Sequence, residues 1–427
     1  MPALPLPPSL YADTARLPPE TPSLDGNRRV SVAVVGGGFT GLSAALHLAE
    51  QGTDVAVLEA NQPGWGASGR NGGQVNPGLK HDPDQVIRDF GRDLGGRMLT
   101  LSGDAPNVVF RLIERHQIEC EALQSGTLRA AAHARDAAGI RQAEAQWARL
   151  GAPVTALARE EIERSTGAAR YECALLDQRG GQVNPLGYAR GLAQAALQTG
   201  AQVYGGTPAL RVQRNGVYWQ VETPRGTVRA DKLVLATNGY TDDLWSGLPR
   251  SIIPVYSAIV ASEPLPEPWA SSIMPTRSVL YETGRVTVYY RIDRNNRLLM
   301  GGRSVQRDVS APGELRYLID YAIRLWPMLR DVTWTHAWSG QLAITPDHYP
   351  HVHEPDNGVL VCLGYNGRGV AMSTAMGPQI AQRVIGGRRA EIDMPVTTIR
   401  EIPFHALWRS AVSARMIHSR VRDWIGR

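Results

Sequence analysis

Gly36, Gly38 and Gly41 follow the apolar run Val32-Ala-Val-Val35 at G-x-G-x-x-G spacing. Backbone without side chains at those points can turn sharply, approach a pyrophosphate, and lay a helix closely on a sheet. The loop Gly36-Gly37-Gly38-Phe39-Thr40-Gly41 runs into Leu42, Ala45, Leu46 and Ala49, which recur at helical intervals. A helix N-terminus with free N–H groups and the positive end of its dipole therefore faces the phosphates. Asp54-Val-Ala-Val-Leu58 reads as a second strand, and it ends in Glu59-Ala60. That places an acid about 20 residues past the glycines, where a ribose is held. Glutamate suits a ribose with a free 2′-hydroxyl, so the spacing favours FAD or NAD over NADP.

Two further stretches could carry chemistry. Gly66-Ala67-Ser68-Gly69-Arg70-Asn71-Gly72-Gly73-Gln74 sets glycines among polar groups directly after the ribose-binding acid. Such backbone runs close against something flat or phosphorylated. Gly364-Tyr365-Asn366-Gly367-Arg368-Gly369 follows the strand Val359–Leu363 and opens an apolar helix from Val370 to Ile385. This second strand–glycine–helix aims another helix N-terminus at a ligand. Asp347-His348-Tyr-Pro-His351-Val-His353 sets two imidazoles on one strand face, without a third and fourth ligand at metal spacing. It reads as a polar loop, and no metal is expected. No G-x-S-x-G elbow offers a hydrolase nucleophile.

The elements that must position these groups follow from periodicity. From Pro83 to about Leu150 the pattern is helical, with Val109, Leu112, Ile113, Ala143 and Trp147 on core-facing stripes. A helix over Tyr188–Gln198 ends at Gly200. A meander follows through turns at Asn215-Gly216 and Arg225-Gly226 into Lys232–Ala236-Thr237-Asn238-Gly239, a buried strand ending in Ala-Thr-x-Gly. That return is typical of FAD-type Rossmann domains. Ile252 to about Asp331 is β-rich, with a hairpin of Val286–Ile292 and Arg297–Met300. On its first strand Val286, Val288, Tyr290 and Ile292 share one face, and Thr287, Tyr289 and Arg291 the other.

A chain of 427 residues suits a two-domain α/β enzyme. The net charge of +5 rests on scattered arginines, with Lys80 and Lys232 the only lysines, so no nucleic-acid partner is expected. Three distant cysteines form no C-x-x-C. No apolar run approaches the ~20 residues that span a bilayer, and the proline-rich start lacks signal-peptide order. A cytoplasmic protein is expected. The stretch Phe404–Ile425 carries an approximate amphipathic stripe. It reads as a helix docked on its own protein, or as a peripheral contact at the inner face of the membrane.

With these motifs in order, the chain resembles the D-amino-acid-oxidase superfamily of FAD oxidoreductases. Ser9-Leu-Tyr11-Ala12 and Ile402-Pro-Phe404 are similar to bacterial γ-glutamylputrescine oxidoreductases. Val183-Asn-Pro-Leu-Gly-Tyr188, Thr345-Pro-Asp-His348 and Gly364–Gly369 are equally like L-pipecolate oxidases. The resemblance implies an α/β fold: a Rossmann-type, glutathione-reductase-like FAD domain with a smaller β-rich α+β substrate domain. The expected division is an arm over 1–26, FAD-domain segments 27–82, 151–250 and 332–395, substrate-domain segments 83–150 and 251–331, and a tail over 396–427.

It also implies that Gly36–Gly41 hold the pyrophosphate and Glu59 with Ala60 the ribose. Gly66–Gln74 would pass the isoalloxazine ring, and Ala236, Thr237, Gly239, Gly340 and Gly364–Gly369 would complete its surroundings. The implied reaction is oxidation of a C–N bond in a small amine or amino acid to an imine, with dioxygen or a respiratory-chain acceptor taking the electrons. A tRNA-modifying FAD oxidase is the rival within the superfamily. Relatives that clamp an α-carboxylate use an arginine where this chain has Leu342, or a lysine where it has Ala371. Either the substrate lacks an α-carboxylate or another cation replaces the clamp. Arg291, Tyr290 and Arg70 are the substrate-side candidates. No tethering cysteine or histidine stands in the matching segments, so dissociable FAD is expected.

Overall fold

Arg28–Val35 lies in the middle of a nine-stranded sheet because both of its faces are apolar enough to be covered. The computed structural model describes residues 4–284, 287–303, 306–410 and 412. Gly226–Leu235 and Val55–Leu58 pair with Arg28–Val35 on either side, both parallel. Val359–Leu363 and Gln202–Tyr204 extend the parallel set outward. The meander Arg211–Asn215 and Tyr218–Thr223 folds back antiparallel onto Gly226–Leu235.

The helices Phe39–Glu50, Pro185–Gln198 and Gly369–Gly386 cover one face and enclose the largest apolar cluster. The first and last cross where a Cβ on Gly377 would lie 2.0 Å from Ser43 Oγ, so only glycine allows that approach. The other face packs Val30, Ala33, Leu58 and Leu235 against Trp219 and Leu248.

The second sheet has eight strands. Its order is Trp334–Ile344, Ile253–Ser262, Leu298–Arg303, Val288–Ile292, Val279–Glu282, Thr127–Ala131, Cys173–Asp177 and Val154–Ala158. One face buries Leu128, Leu280, Tyr290, Met300 and Val260 against the helix Arg316–Leu325. The opposite face carries Arg129, Tyr281, Tyr289 and Gly301, which are neighbours through the register of adjacent strands.

Two expectations change here. The stretch expected as helical from Pro83 to Leu150 is two helical segments within Pro83–Arg115 that break at Gly91 (φ +76°), the strand Thr127–Ala131 and a helix over Ala137–Ala148. Thr-Leu-Arg-Ala-Ala has little strand preference of its own. Pairing on both edges, parallel to Val279–Glu282 and antiparallel to Cys173–Asp177, overrides it. The same pairing moves Val154–Ala158 and Cys173–Asp177 into the second sheet, where 151–250 was expected in the FAD domain. Trp334–Ile344 also joins this sheet, since it pairs along its length with Ile253–Ser262. The amphipathic tail and the position Val286 lie largely or wholly outside the described residues. Among those residues, no helix is long and apolar enough to cross a membrane.

Candidate active site

At the carboxyl end of Arg28–Val35 the chain turns through Gly36, whose φ of +106° is open to glycine and strained for other residues. A Cβ on Gly41 would lie 2.0 Å from Gly36 O, which is why the helix can start so close to the turn. Glu59 is buried beside it: Oε2 accepts from Gly37 N at 2.7 Å, and Oε1 accepts from Asn61 N at 2.9 Å. Burial pushes its pKa up, and the two backbone N–H bonds pull it back. Ser68 Oγ accepts from Phe39 N at 2.9 Å, so the segment after Gly66 is tied to the helix N-terminus.

That segment then runs under the second sheet. Asn71 Nδ2 donates to Ala67 O and Ser68 O, and its Oδ1 accepts from Gly73 N, which folds the loop on itself. A Cβ on Gly72 would sit 2.6 Å from the Tyr289 ring, so Gly72 is the point where roof and floor meet. Gln74 Nε2 donates to Leu280 O (2.9 Å) and Tyr290 O (3.2 Å), fixing the floor to the roof strands. Asn76 follows, held by Thr127 Oγ1 at 3.0 Å.

The second glycine loop closes the far side. Gly364 N donates to Asn238 Oδ1 at 2.9 Å, which links it to the Ala236–Gly239 turn. Tyr365 OH is shared between Thr40 Oγ1 (2.7 Å) and Cys362 Sγ (3.1 Å). Burial pushes the Cys362 thiol up to about 12, so it is not a nucleophile.

Between these parts lies a cavity of about 440 Å³. Its wall includes Gly36, Gly38, Phe39, Thr40, Glu59, Ala60, Gly66, Ala67, Ser68, Arg70, Asn71, Gly72 and Gln74. Ala236, Thr237, Gly340, Tyr365, Asn366, Gly367 and Gly369 line it too. Gly37, Gly41, Gly73, Gly239 and Gly364 stand behind the wall and set its backbone path. Arg368 also stands behind it, with Nη1 on Pro77 O and Nη2 on Tyr281 OH, each at 2.7 Å.

Of the substrate-side candidates, Arg70 alone lines the cavity. Its Nε donates to Trp65 O at 2.7 Å and its guanidinium lies 4.1 Å over the Trp65 ring. Arg291 is corrected to a structural position: it is 3% exposed, two residues beyond Tyr289 on the same strand face. Its Nε donates to Gly72 O (2.7 Å), Nη1 to Gln182 Oε1 (2.7 Å), and Nη2 to Tyr11 OH and Val183 O (each 3.2 Å). No donor pair is left for a substrate carboxylate. Tyr290 is corrected likewise. It faces the opposite way, with its OH 2.7 Å from Tyr171 OH and its ring against Trp326.

Sequence reasoning did not single out Tyr289, Asn76, Ser257, Trp65 or Tyr240, all of which line the cavity. Tyr289 was detectable, because alternation put it on the face opposite Tyr290. The arm was also underrated. Leu4 lines the cavity and its N–H donates to Asn61 Oδ1 at 2.7 Å, while Trp65 Nε1 donates to Pro5 O at 2.8 Å. Tyr11 is buried edge-on against Trp338 at 4.9 Å. Among the described residues no cluster of His, Cys, Asp and Glu could hold a metal.

A cavity running from a ribose-binding acid, past phosphate-binding backbone, to a roof of antiparallel strands suits an extended dinucleotide whose ring end meets a second layer. That is the class of flavin-dependent oxidoreductases. The family model described as DAO, FAD dependent oxidoreductase, matches residues 31–383, and the chain belongs to this family. It is 33% identical over 396 residues to a probable oxidoreductase OrdL of Rhizobium meliloti (strain 1021), covering 90% of each chain. It is 32% identical over 380 residues to the gamma-glutamylputrescine oxidoreductase of Escherichia coli (strain K12), covering 88% of this chain and 89% of that one. The solved glycine oxidase from Geobacillus kaustophilus shares the fold with a TM-score of 0.72 at 23% identity, over 88% of this chain and 99% of that one. The protein is an FAD-dependent oxidoreductase. Its residues fit FAD: Gly36 and Gly38 give the cavity wall bare backbone beside the helix N-terminus, and a buried carboxylate ends the adjoining strand.

Proposed function

We propose that this enzyme oxidises an amine that carries no α-carboxylate at the reacting carbon, with a γ-glutamylputrescine-like compound as the best fit. The observation that carries this reading is Leu342, an apolar side chain on the cavity wall where carboxylate-clamping relatives are expected to hold an arginine. Ala371, at the other clamp position, is buried and off the wall. Likeness to the gamma-glutamylputrescine oxidoreductase of Escherichia coli supports the same choice.

FAD, when bound, accepts the electrons released from the carbon next to the amine nitrogen. The chain's own part is orientation and electrostatics. Backbone N–H groups of Gly36–Gly41 and the carboxylate of Glu59 would hold the adenosine diphosphate end. The N-terminus of Gly369–Gly386 and the backbone of Tyr365–Gly367 would stabilise negative charge at the ring's pyrimidine end. Tyr289, Gln74 and Asn76 would shape the space for the amine, which must arrive neutral. The imine product is hydrolysed by water, and dioxygen or a respiratory-chain acceptor takes the electrons onward.

The test is anaerobic bleaching of the flavin. A missing charge-assisted carboxylate contact costs roughly 2–5 kcal/mol, at least about thirtyfold. Glycine, sarcosine and D-alanine should therefore reduce the flavin far more slowly than γ-glutamylputrescine. Glycine or sarcosine as the fastest substrate would sink the reading. L-Pipecolate as the fastest would turn it to a cyclic amino-acid oxidase.

A further inference from the structure

The roof strands and the loops beside them gather an unusual set of charges at the edge of the cavity. Arg129 and Tyr281 are partners in the parallel register of their strands, and Tyr281 is in turn opposite Tyr289, which lines the cavity. Arg303 stands two residues beyond Gly301 on the strand next to Tyr289, on the same face. Arg368, set between the cavity-lining Gly367 and Gly369, places its guanidinium 4.8 Å over the Tyr281 ring. Lys80 comes in from the loop after Asn76, another lining residue.

Two of these side chains, Lys80 and Arg368, have no acidic partner among the described residues. Asp82 answers Arg129, at 2.6 Å. Arg368 has only the neutral oxygens of Pro77 and Tyr281. Lys80 has no hydrogen-bond or ion-pair partner among the described residues. Its side chain is exposed to solvent. Crowding by surrounding atoms, and then the charges of Arg368, Arg303 and Arg129, still lower its pKa to about 8. Folding has brought like charges together at a cost, and an anion would offset it.

We propose that Lys80, Arg129, Arg303 and Arg368 form a carboxylate-binding subsite at the mouth of the flavin cavity, which receives the acidic end of the amine substrate. None of these side chains lines the cavity itself, so the carboxylate they bind lies away from the carbon being oxidised. The substrate class is thus an amine bearing a remote carboxylate, and this inference rests on the amine-oxidising reading above.

The charged and titratable groups facing Lys80 are Arg368, Arg303, Arg129 with its partner Asp82, and Tyr281, while His81 turns onto the Tyr349 ring. An anion favours protonated Lys80. Carboxylate binding should therefore weaken as pH rises through about 8.

Two measurements on the FAD-loaded enzyme test the subsite. In the first, glutarate is titrated against the flavin absorbance. Binding that weakens at high pH, and weakens about tenfold in Lys80→Met, is expected. In the second, kcat/KM for γ-glutamylputrescine is divided by that for its carboxamide analogue. This preference should fall about tenfold in Lys80→Met, chiefly through KM, and return in Lys80→Arg. No glutarate binding by the wild type, or an unchanged preference in Lys80→Met, overturns the subsite even if amines bleach the flavin. Glutarate binding that depends on Lys80, in an enzyme that no carboxylate-bearing amine reduces, keeps the anion subsite. It removes the subsite's role for substrate, and the amine reading falls as well when amines without any carboxylate also fail to bleach the flavin.

Discussion

Replacing Arg291 by methionine would leave the carbonyls of Gly72 and Val183, the Gln182 amide and the Tyr11 hydroxyl without their donor. Each buried acceptor stripped of its partner costs about 1–3 kcal/mol. A destabilisation of roughly 3–5 kcal/mol is expected for Arg291→Met, on the scale of a buried charge removed from its hydrogen bonds. Thermal unfolding should show it as a lowered Tm. A variant of unchanged Tm with a raised KM would return Arg291 to the substrate. The residue also marks where reading by type fails. An arginine on a strand facing a flavin has the composition of a carboxylate clamp, and only its position decides. At Tyr289 the strand is over the cavity, and one residue pair further on it is over the Gly72–Gly73 backbone.

The glycine turn is the element most fully legible in the sequence, because its requirements are local. A valine at Gly38 would put its Cβ 2.9 Å from Ser68 Oγ and crowd the approach to the helix N-terminus. Gly38→Val should therefore abolish stoichiometric FAD binding while far-UV circular dichroism stays near wild type. Retained FAD would remove Gly36–Gly41 as the phosphate site. The meander was equally readable, since Asn215-Gly216 and Arg225-Gly226 mark its turns and the strands end within a residue or two of them. Thr127–Ala131 was not. Its strand state comes from neighbours far along the chain on both edges, Leu175 and Tyr281 for Arg129, and no local pattern reports such partners. The cation cluster escaped notice for the same reason. Lys80, Arg129, Arg303 and Arg368 are scattered in sequence and meet only once the sheets are assembled.

At the scale of the whole molecule, the cavity has walls from both sheets, from the loops between them and from the arm at Leu4. Among the described residues its lining contains neither cysteine nor histidine. FAD should therefore be held without a covalent bond, and acid precipitation should leave it in the supernatant. Flavin found in the washed precipitate would show a tether. The arm carries one more consequence, for biosynthesis. Tyr11 rests against Trp338 and is bonded by Arg291, whose separation from it is 280 residues. On the ribosome Tyr11 exists long before either partner has been made. The arm must wait, and the surface it covers takes shape only after the hairpin and the last roof strand have been synthesised. The arm also bonds Asn61 and Trp65, through Leu4 and Pro5. A stretch translated long before its partners is thus placed only after them.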